Sequence, residues 1–230
     1  MKKVLILLFA GVLLLMNFAS IAQNNNPYNQ KGIDFMASVK IIKQDYESGK
    51  VTGFTDDAIS NYSKTLPLKI EKVEPSLVSD VVNAVKVKNL DVTSFVNNSS
   101  MSIFAKQTTN DLLSICKAPN ALVNLTNKVT QITTSAASVK DKEFALTLTG
   151  VLYNYSSDYI AKAATNGIST NSASSNNCVY NGEPASCTAV GAMIGTLVGT
   201  AVGYSCCGPG GALIGALVGA IVGGALGSLC

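Results

Sequence analysis

The residues from Thr188 to Cys230 read TAVGAMIGTLVGTAVGYSCCGPGGALIGALVGAIVGGALGSLC and contain no charged side chain. Glycine recurs at every fourth position in two runs. The nine glycines in register are Gly191, Gly195, Gly199, Gly203, Gly211, Gly215, Gly219, Gly223 and Gly227. A run of this regularity is an internal repeat and not a bias in composition. Because residues i and i+4 share one face of a helix, the repeat predicts two helices, each with a groove that lacks side chains.

The two runs define a first glycine segment, Thr188 to Tyr204, and a second glycine segment, Gly211 to Leu229. Glycine costs a water-exposed helix about 1 kcal/mol per position, so each groove needs a second backbone packed into it. The connection from Ser205 to Gly210 is too short for anything except an antiparallel return. The sequence therefore predicts an antiparallel glycine-zipper helical hairpin over residues 188–230, with the glycines as its helix-packing residues and a right-handed crossing.

The surroundings of this hairpin are open to two interpretations. Segments of 17 and 19 residues form helices of about 26 and 28 Å, which is at the short end for crossing a bilayer. In the first interpretation the hairpin is inserted, and apolar residues away from the groove, such as Leu217 and Val218, face lipid. In the second, the helical domain covers the hairpin within a soluble protein. The absence of charge over 43 residues favours insertion.

These tetrads resemble the glycine-zipper two-transmembrane family, which the 17-kDa surface antigens of bacterial envelopes represent. The resemblance rests on the glycine spacing and is confined to residues Thr188 to Cys230. It implies an envelope location and close packing of two glycine-repeat helices. Members of that family are commonly lipoproteins, whereas the leader of this chain has no Cys to accept a lipid.

The N-terminus has the three regions of a secretory signal peptide. A basic start is followed by 13 apolar residues, Val4 to Met16, and then by Ser20-Ile21-Ala22, which places small residues at the −3 and −1 positions of a cleavage site. We therefore expect residues 1–22 to be removed and the mature chain to start near Gln23. Export leads to an oxidising compartment, in which the six cysteines can pair.

The disulfide connectivity stays open, because six cysteines allow 15 full pairings. Cys187 and Cys230 come to the same open end of the predicted hairpin, so we expect a bond between them. Cys178 and Cys187 also bracket a short segment and could close a small loop instead. The disulfide candidates are Cys178, Cys187, Cys206, Cys207 and Cys230.

Nearly all the charged residues lie in residues 27–165, where apolar residues recur at helical spacing. This pattern predicts an all-α helical domain, a bundle of five or six helices. They run from Gly32 to Ser48, from Thr55 through Tyr62, from Ser76 to Val85, from Ser99 to Cys116, after Pro119 through Ile132, and from Asp141 to Ala164. On the first helix we expect Ile33, Met36 and Val39 to share the buried stripe. Residues 166–187, rich in Asn and Ser, predict a flexible linker.

Composition excludes several classes of chemistry. The chain has no His and no Arg, which removes His-dependent catalytic triads, zinc sites that need a His ligand, and bidentate binding of phosphate. Loss of Lys2 and Lys3 with the leader leaves 15 lysines against 14 acids. This nearly neutral net charge is not typical of a protein that binds nucleic acid.

Three further patterns are better explained by structure than by catalysis. Asp56-Asp57 is interpreted as the acidic first turn of a helix, since adjacent helical residues do not face each other. The motif Ser114-x-x-Lys117 occurs without the companion motifs of penicillin-binding enzymes. Cys116 has no His to activate its thiol. We therefore expect a protein that is not an enzyme and that uses no cofactor or metal.

Two functions fit these features. The first is an exported, non-enzymatic cell-envelope protein whose glycine-zipper hairpin inserts into a membrane and self-associates, so that the partners are the lipid bilayer and further copies of the chain. The alternative is a secreted pore-forming or bacteriocin-like toxin whose membrane-active hairpin is shielded until it meets a target membrane. In that case the linker would allow its release.

Overall fold

A computed structural model of the chain describes residues 25–48, 50, 65–68, 77–85, 91–166, 179–180 and 183–184, together with positions 192, 195–196, 199–200, 202–204, 212 and 215–220. Helix accounts for 80% of these residues, which confirms the all-α class. The leader and the predicted helix that starts at Thr55 lie outside the described residues.

Six helices form the described part of the helical domain. They are α1 (Asn29–Glu47), α2 (Leu77–Val85), α3 (Val92–Asn97), α4 (Ile103–Lys117), α5 (Ala121–Thr134) and α6 (Val139–Asn166). The 28-residue helix α6 lies at the centre, because α1, α4 and α5 all pack against it. Within the segment predicted as a linker, β1 (Val179–Tyr180) pairs antiparallel with β2 (Glu183–Pro184), so part of that segment has local structure.

Short polar side chains cap free backbone N–H groups at the starts of α3 and α4. Ser102 accepts a hydrogen bond from the backbone N–H of Ala105 (3.1 Å) at the start of α4, and Asp91 does the same for Ser94 (3.1 Å) at the start of α3. The predicted helix from Ser99 therefore begins later than expected. Ser99 belongs instead to the connection that follows α3, a helix the periodicity did not predict.

Hydrogen bonds and ion pairs fix the direction of the helices around α6. The ion pairs Lys31–Glu143 (2.9 Å) and Lys40–Asp158 (2.7 Å) show that α1 runs parallel to α6. Helix α4 is also parallel, since the hydroxyl of Ser102 donates to Oδ1 of Asp141 (2.6 Å).

Helix α5 runs the other way, because Nζ of Lys142 donates to the carbonyl oxygen of Thr133 (3.1 Å). The starts of α4 and α6 and the last turn of α5 therefore meet at one end of the bundle. We call this the Asp141 end.

The core consists of two buried clusters. One lies among α3, α4, α5 and α6, and the other, called here the cover cluster, joins α1 and α6 to the residues at 66 and 68. The cover cluster contains Phe35, Met36, Leu66, Leu68 and Val151 together with Ala216, Leu217 and Ala220 of the second glycine segment.

The buried face of α1 is rotated from the predicted stripe. Met36 is buried as expected, and Val39 packs against the cover cluster. Ile33 is 43% exposed, however, and Phe35 is fully buried in its place. The reason is the close approach of α1 to α6 at Gly32, which turns Ile33 toward solvent.

Candidate functional site

The two glycine segments contact each other backbone to backbone. A Cβ built on Gly199 would overlap the carbonyl group of Gly215, lying 2.6 Å from its carbon, and a Cβ on Gly215 would lie 2.8 Å from the carbonyl carbon of Gly199. A Cβ on Gly219 would lie 2.6 Å from the carbonyl carbon of Gly195. Only hydrogen fits at these positions, so any larger residue would force the two backbones apart.

The pairing also defines the direction of the two segments. Gly195 meets Gly219 and Gly199 meets Gly215, so that the partner number falls as the residue number rises. This order is antiparallel. Every position described in the two segments is helical, and Gly203 is buried beside the contact, its nitrogen 3.1 Å from a Cβ built on Gly215. The other predicted packing residues, Gly191, Gly211, Gly223 and Gly227, lie outside the described residues.

The apolar side of the second glycine segment is covered by the helical domain. Leu217 is 1% exposed and Val218 is 0% exposed. Leu217 belongs to the cover cluster with Phe35 and Met36. In this structure the side chain of Leu217 therefore packs against apolar residues of α1 and α6. The expectation that Leu217 and Val218 face lipid after insertion stays a prediction.

A second row of small residues flanks the glycines and is also buried. Its described members are Ala192, Thr196, Thr200, Ala212, Ala216 and Ala220. The hydroxyl of Thr196 donates to the carbonyl oxygen of Ala192 (2.8 Å), and that of Thr200 to the carbonyl oxygen of Thr196 (2.7 Å). These bonds stay within one helix, so the two hydroxyls need no partner elsewhere and are compatible with apolar surroundings.

Tyr204 makes a polar contact between the first glycine segment and α6. Its hydroxyl donates to Oδ1 of Asp141 (3.4 Å), and its ring packs edge-on against Phe144 with the ring centroids 4.8 Å apart. The same carboxylate accepts hydrogen bonds from Ser102 (2.6 Å) and Ser138 (2.9 Å). Burial, followed by the negative charge of Asp141, raises the pKa of Tyr204 above its usual value.

The reactive side chains singled out in the sequence do not form a catalytic arrangement with one another. Cys116 is a free, fully buried cysteine, and burial raises the pKa of its thiol to about 12. Ser114 is exposed, and its hydroxyl donates to the carbonyl oxygen of Asn110 (3.1 Å). The acidic pair Asp56-Asp57 and the cysteines at 178, 187, 206, 207 and 230 lie outside the described residues.

The described part of the chain contains neither a candidate metal site nor a candidate membrane span. No group of three or more metal-ligating side chains is found there. No helix there combines the length and the hydropathy that a membrane span requires.

A second glycine contact was not anticipated from the sequence. A Cβ on Gly32 would lie 2.5 Å from the carbonyl group of Gly150, at the crossing of α1 and α6. Buried Asn26 donates to the carbonyl oxygen of Leu146 (2.9 Å) beside this crossing, and Asn154 donates to Oδ1 of Asn29 (3.0 Å). The available signal was a single glycine within each helical pattern, which often marks a close backbone approach.

Comparison with known proteins finds no relative: no family model, no curated protein and no solved structure matches the chain.

Proposed function

We propose that the protein is an exported, non-enzymatic carrier of a membrane-active glycine hairpin. The hairpin is stored against the helical domain and is released to insert into a lipid bilayer, where copies self-associate. The main support is the burial of Leu217 in the cover cluster with residues of α1 and α6, within a 43-residue segment that has no charged side chain.

Storage and insertion offer the second glycine segment similar surroundings. Burying a Leu or Val side chain contributes about 1.5–3 kcal/mol relative to leaving it in water. The cover cluster provides this burial for Leu217 in the folded protein, and hydrocarbon would provide it after insertion. The hairpin can therefore exchange one apolar environment for the other. Exposure of its apolar side chains to water is less favourable than either the stored or the inserted state.

The internal contacts of the hairpin favour its leaving the helical domain as a unit. At Gly199, Gly215 and Gly219 the nearest atoms to a built Cβ all belong to the facing glycine segment. A helix satisfies its own backbone hydrogen bonds, which is what hydrocarbon requires. The hydroxyls of Thr196 and Thr200 bond within their own helix and add no unpaired polar group.

Self-association would use a different surface from the one that the glycine spacing predicts. The glycine row is occupied by the contact between the two segments, such as that of Gly199 with Gly215. The row of Ala212, Ala216 and Ala220 packs into the two core clusters of the helical domain in the stored state. Release would free this row to pack against a second copy, as small residues do in membranes.

The cell-envelope anchor remains the second candidate, because a charge-free 43-residue segment is typical of membrane proteins. Alkaline extraction of producing cells separates the two. A permanently inserted anchor stays in the membrane pellet, whereas a stored hairpin leaves intact protein in the soluble fraction or the medium.

The proposed function is tested by dye release from lipid vesicles with the mature chain. Phe35→Ala removes a fully buried ring from the cover cluster, so we expect release at severalfold lower protein concentration than with wild type. Ile33→Ala is the matched control on α1, since Ile33 is 43% exposed, and it should behave as wild type.

A double variant identifies the part of the chain that acts on the membrane. Adding Gly199→Leu to Phe35→Ala fills the glycine contact, and we expect release to disappear. Undiminished release by the double variant, or no release by Phe35→Ala, would contradict the proposal.

A further inference from the structure

The Asp141 end carries the two most exposed large apolar side chains of the described residues. Val139 is 80% exposed and Ile103 is 76% exposed. Each is the first residue of its helix and follows a serine that donates a hydrogen bond to Asp141. A single carboxylate thus holds both helix starts together, so the two apolar side chains belong to the same end of the bundle.

The charges at this end are mainly positive. Lys106, Lys140 and Lys142 lie in the first turns of α4 and α6. The amines of Lys106 and Lys142 donate to the carbonyl oxygens of Asn97 (2.8 Å) and Thr133 (3.1 Å). The nearby acids are already engaged, Glu143 with Lys31 and Asp141 with the serine and tyrosine hydroxyls.

The first glycine segment ends at the Asp141 end. Tyr204, the last residue of the first glycine segment, donates to Asp141. Ala212, the second residue of the other segment, belongs to the buried cluster that contains Phe144. A surface that approached the Asp141 end would therefore come close to the end of the first glycine segment at Tyr204.

From these observations we propose that the Asp141 end is the face that docks on an anionic lipid bilayer, and that the first glycine segment enters the bilayer with its Tyr204 end leading. The inference rests on the proposed function. Exposed apolar side chains with lysines nearby suit the bilayer interface. The apolar groups can enter the lipid, and the amines can meet the lipid phosphates. The ion pair of Lys128 with Asp111 (2.5 Å) lies midway along α5 and α4, away from this end.

Tryptophan reporters test this orientation directly, because the chain contains no Trp. Val139→Trp and Ile103→Trp place a reporter at the Asp141 end, and Val123→Trp places the matched control on α5 at the opposite end, where Val123 is 55% exposed. With vesicles of phosphatidylcholine and phosphatidylglycerol, we expect a blue shift and quenching by brominated lipid for the first two variants only.

Charge variants test the anionic preference in the same vesicles. Lys140→Gln should weaken vesicle binding about fivefold, the equivalent of about 1 kcal/mol per lysine at an anionic surface. Lys117→Gln, at the last residue of α4 and so at the opposite end, should leave the affinity unchanged. We expect binding to pure phosphatidylcholine to be much weaker for every variant.

An equal blue shift at Val123→Trp, no shift at Val139→Trp, or equal binding to neutral vesicles would overturn the proposed docking face. The dye-release assay separates this failure from failure of the proposed function. Dye release without an end-specific shift removes the docking face and leaves insertion intact. An end-specific shift without dye release supports the docking face and contradicts insertion.

Discussion

At the scale of single residues, Gly32 and Gly150 meet at one helix crossing but tolerate a methyl group differently. A Cβ on Gly32 would lie 2.5 Å from the backbone of Gly150, whereas a Cβ on Gly150 would meet its nearest atom, Nδ2 of Asn26, at 3.4 Å. We therefore expect Gly32→Ala to lower the free energy of unfolding by about 1–3 kcal/mol through overpacking. Gly150→Ala should raise it by up to about 1 kcal/mol through helix propensity.

Urea denaturation of the two variants measures both changes in the free energy of unfolding, which should have opposite signs. Equal destabilisation by both would contradict the geometry of the crossing.

Because of Cys116, we expect the free energy of unfolding to fall as the pH rises in the alkaline range. Its thiol pKa is raised from 9.0 to about 12 by burial, so the unfolded chain loses this proton at a lower pH than the folded chain. The contribution of the protonated Cys116 thiol to the free energy of unfolding is fully present below pH 9. It is lost as the pH rises from 9 toward 12, at about 1.4 kcal/mol per pH unit. Unfolding free energies measured at pH 8, 9, 10 and 11 should fall less steeply for Cys116→Ala than for wild type. Parallel curves would contradict this assignment.

At the scale of elements, the hairpin depends on glycine at each described contact. Gly199→Ala adds a methyl group that overlaps the carbonyl of Gly215. We expect a loss of about 1–3 kcal/mol in the free energy of unfolding, beyond any gain in helix propensity. Gly150→Ala is the matched control, because it adds the same methyl group to another helical glycine that has room for it. Thermal or urea denaturation that ranks the two variants equally would contradict the contact.

Several helices were predictable from local patterns. The helix after Pro119 follows from its apolar spacing, and α2 begins at Leu77, directly after the predicted start at Ser76. The break between α3 and α4 was not predictable from spacing alone, since it depends on Asp91 and Ser102 as two separate caps. Periodicity also did not predict that Phe35 is buried and Ile33 exposed, because this orientation of α1 depends on its crossing with α6 at Gly32.

The candidate site was predictable only in its internal spacing. The four-residue repeat predicted that glycines such as Gly199 and Gly215 would face another backbone. It did not predict what covers Leu217, because a protein core and a lipid bilayer select the same apolar residues. Nor did any local signal connect Tyr204 to Asp141, which are 63 positions apart in the chain. Contacts of this kind depend on how whole helices pack.

At the scale of the whole molecule, the glycine segments complete the core of the helical domain. Ala216, Leu217 and Ala220 lie in the cover cluster, and loss of a single buried Leu side chain typically costs 2–5 kcal/mol. A chain that ends at Ser186 should therefore lose much of its stability, which for a domain totals about 5–15 kcal/mol. It should also bind a dye specific for exposed apolar surface. Cooperative unfolding at the wild-type midpoint would contradict this interdependence.

We propose above that the helical domain covers the hairpin in solution and releases it for insertion into a bilayer. The most direct measurement is photolabelling of the mature chain by a diazirine probe confined to lipid vesicles, followed by peptide mapping. The account predicts label on the peptide that contains Leu217 and Val218, with none on the peptides that contain the buried core residues Leu125 and Ile132. Vesicle-bound protein in which Leu217 and Val218 stay unlabelled would show that the hairpin is a permanent core element, and would contradict the account.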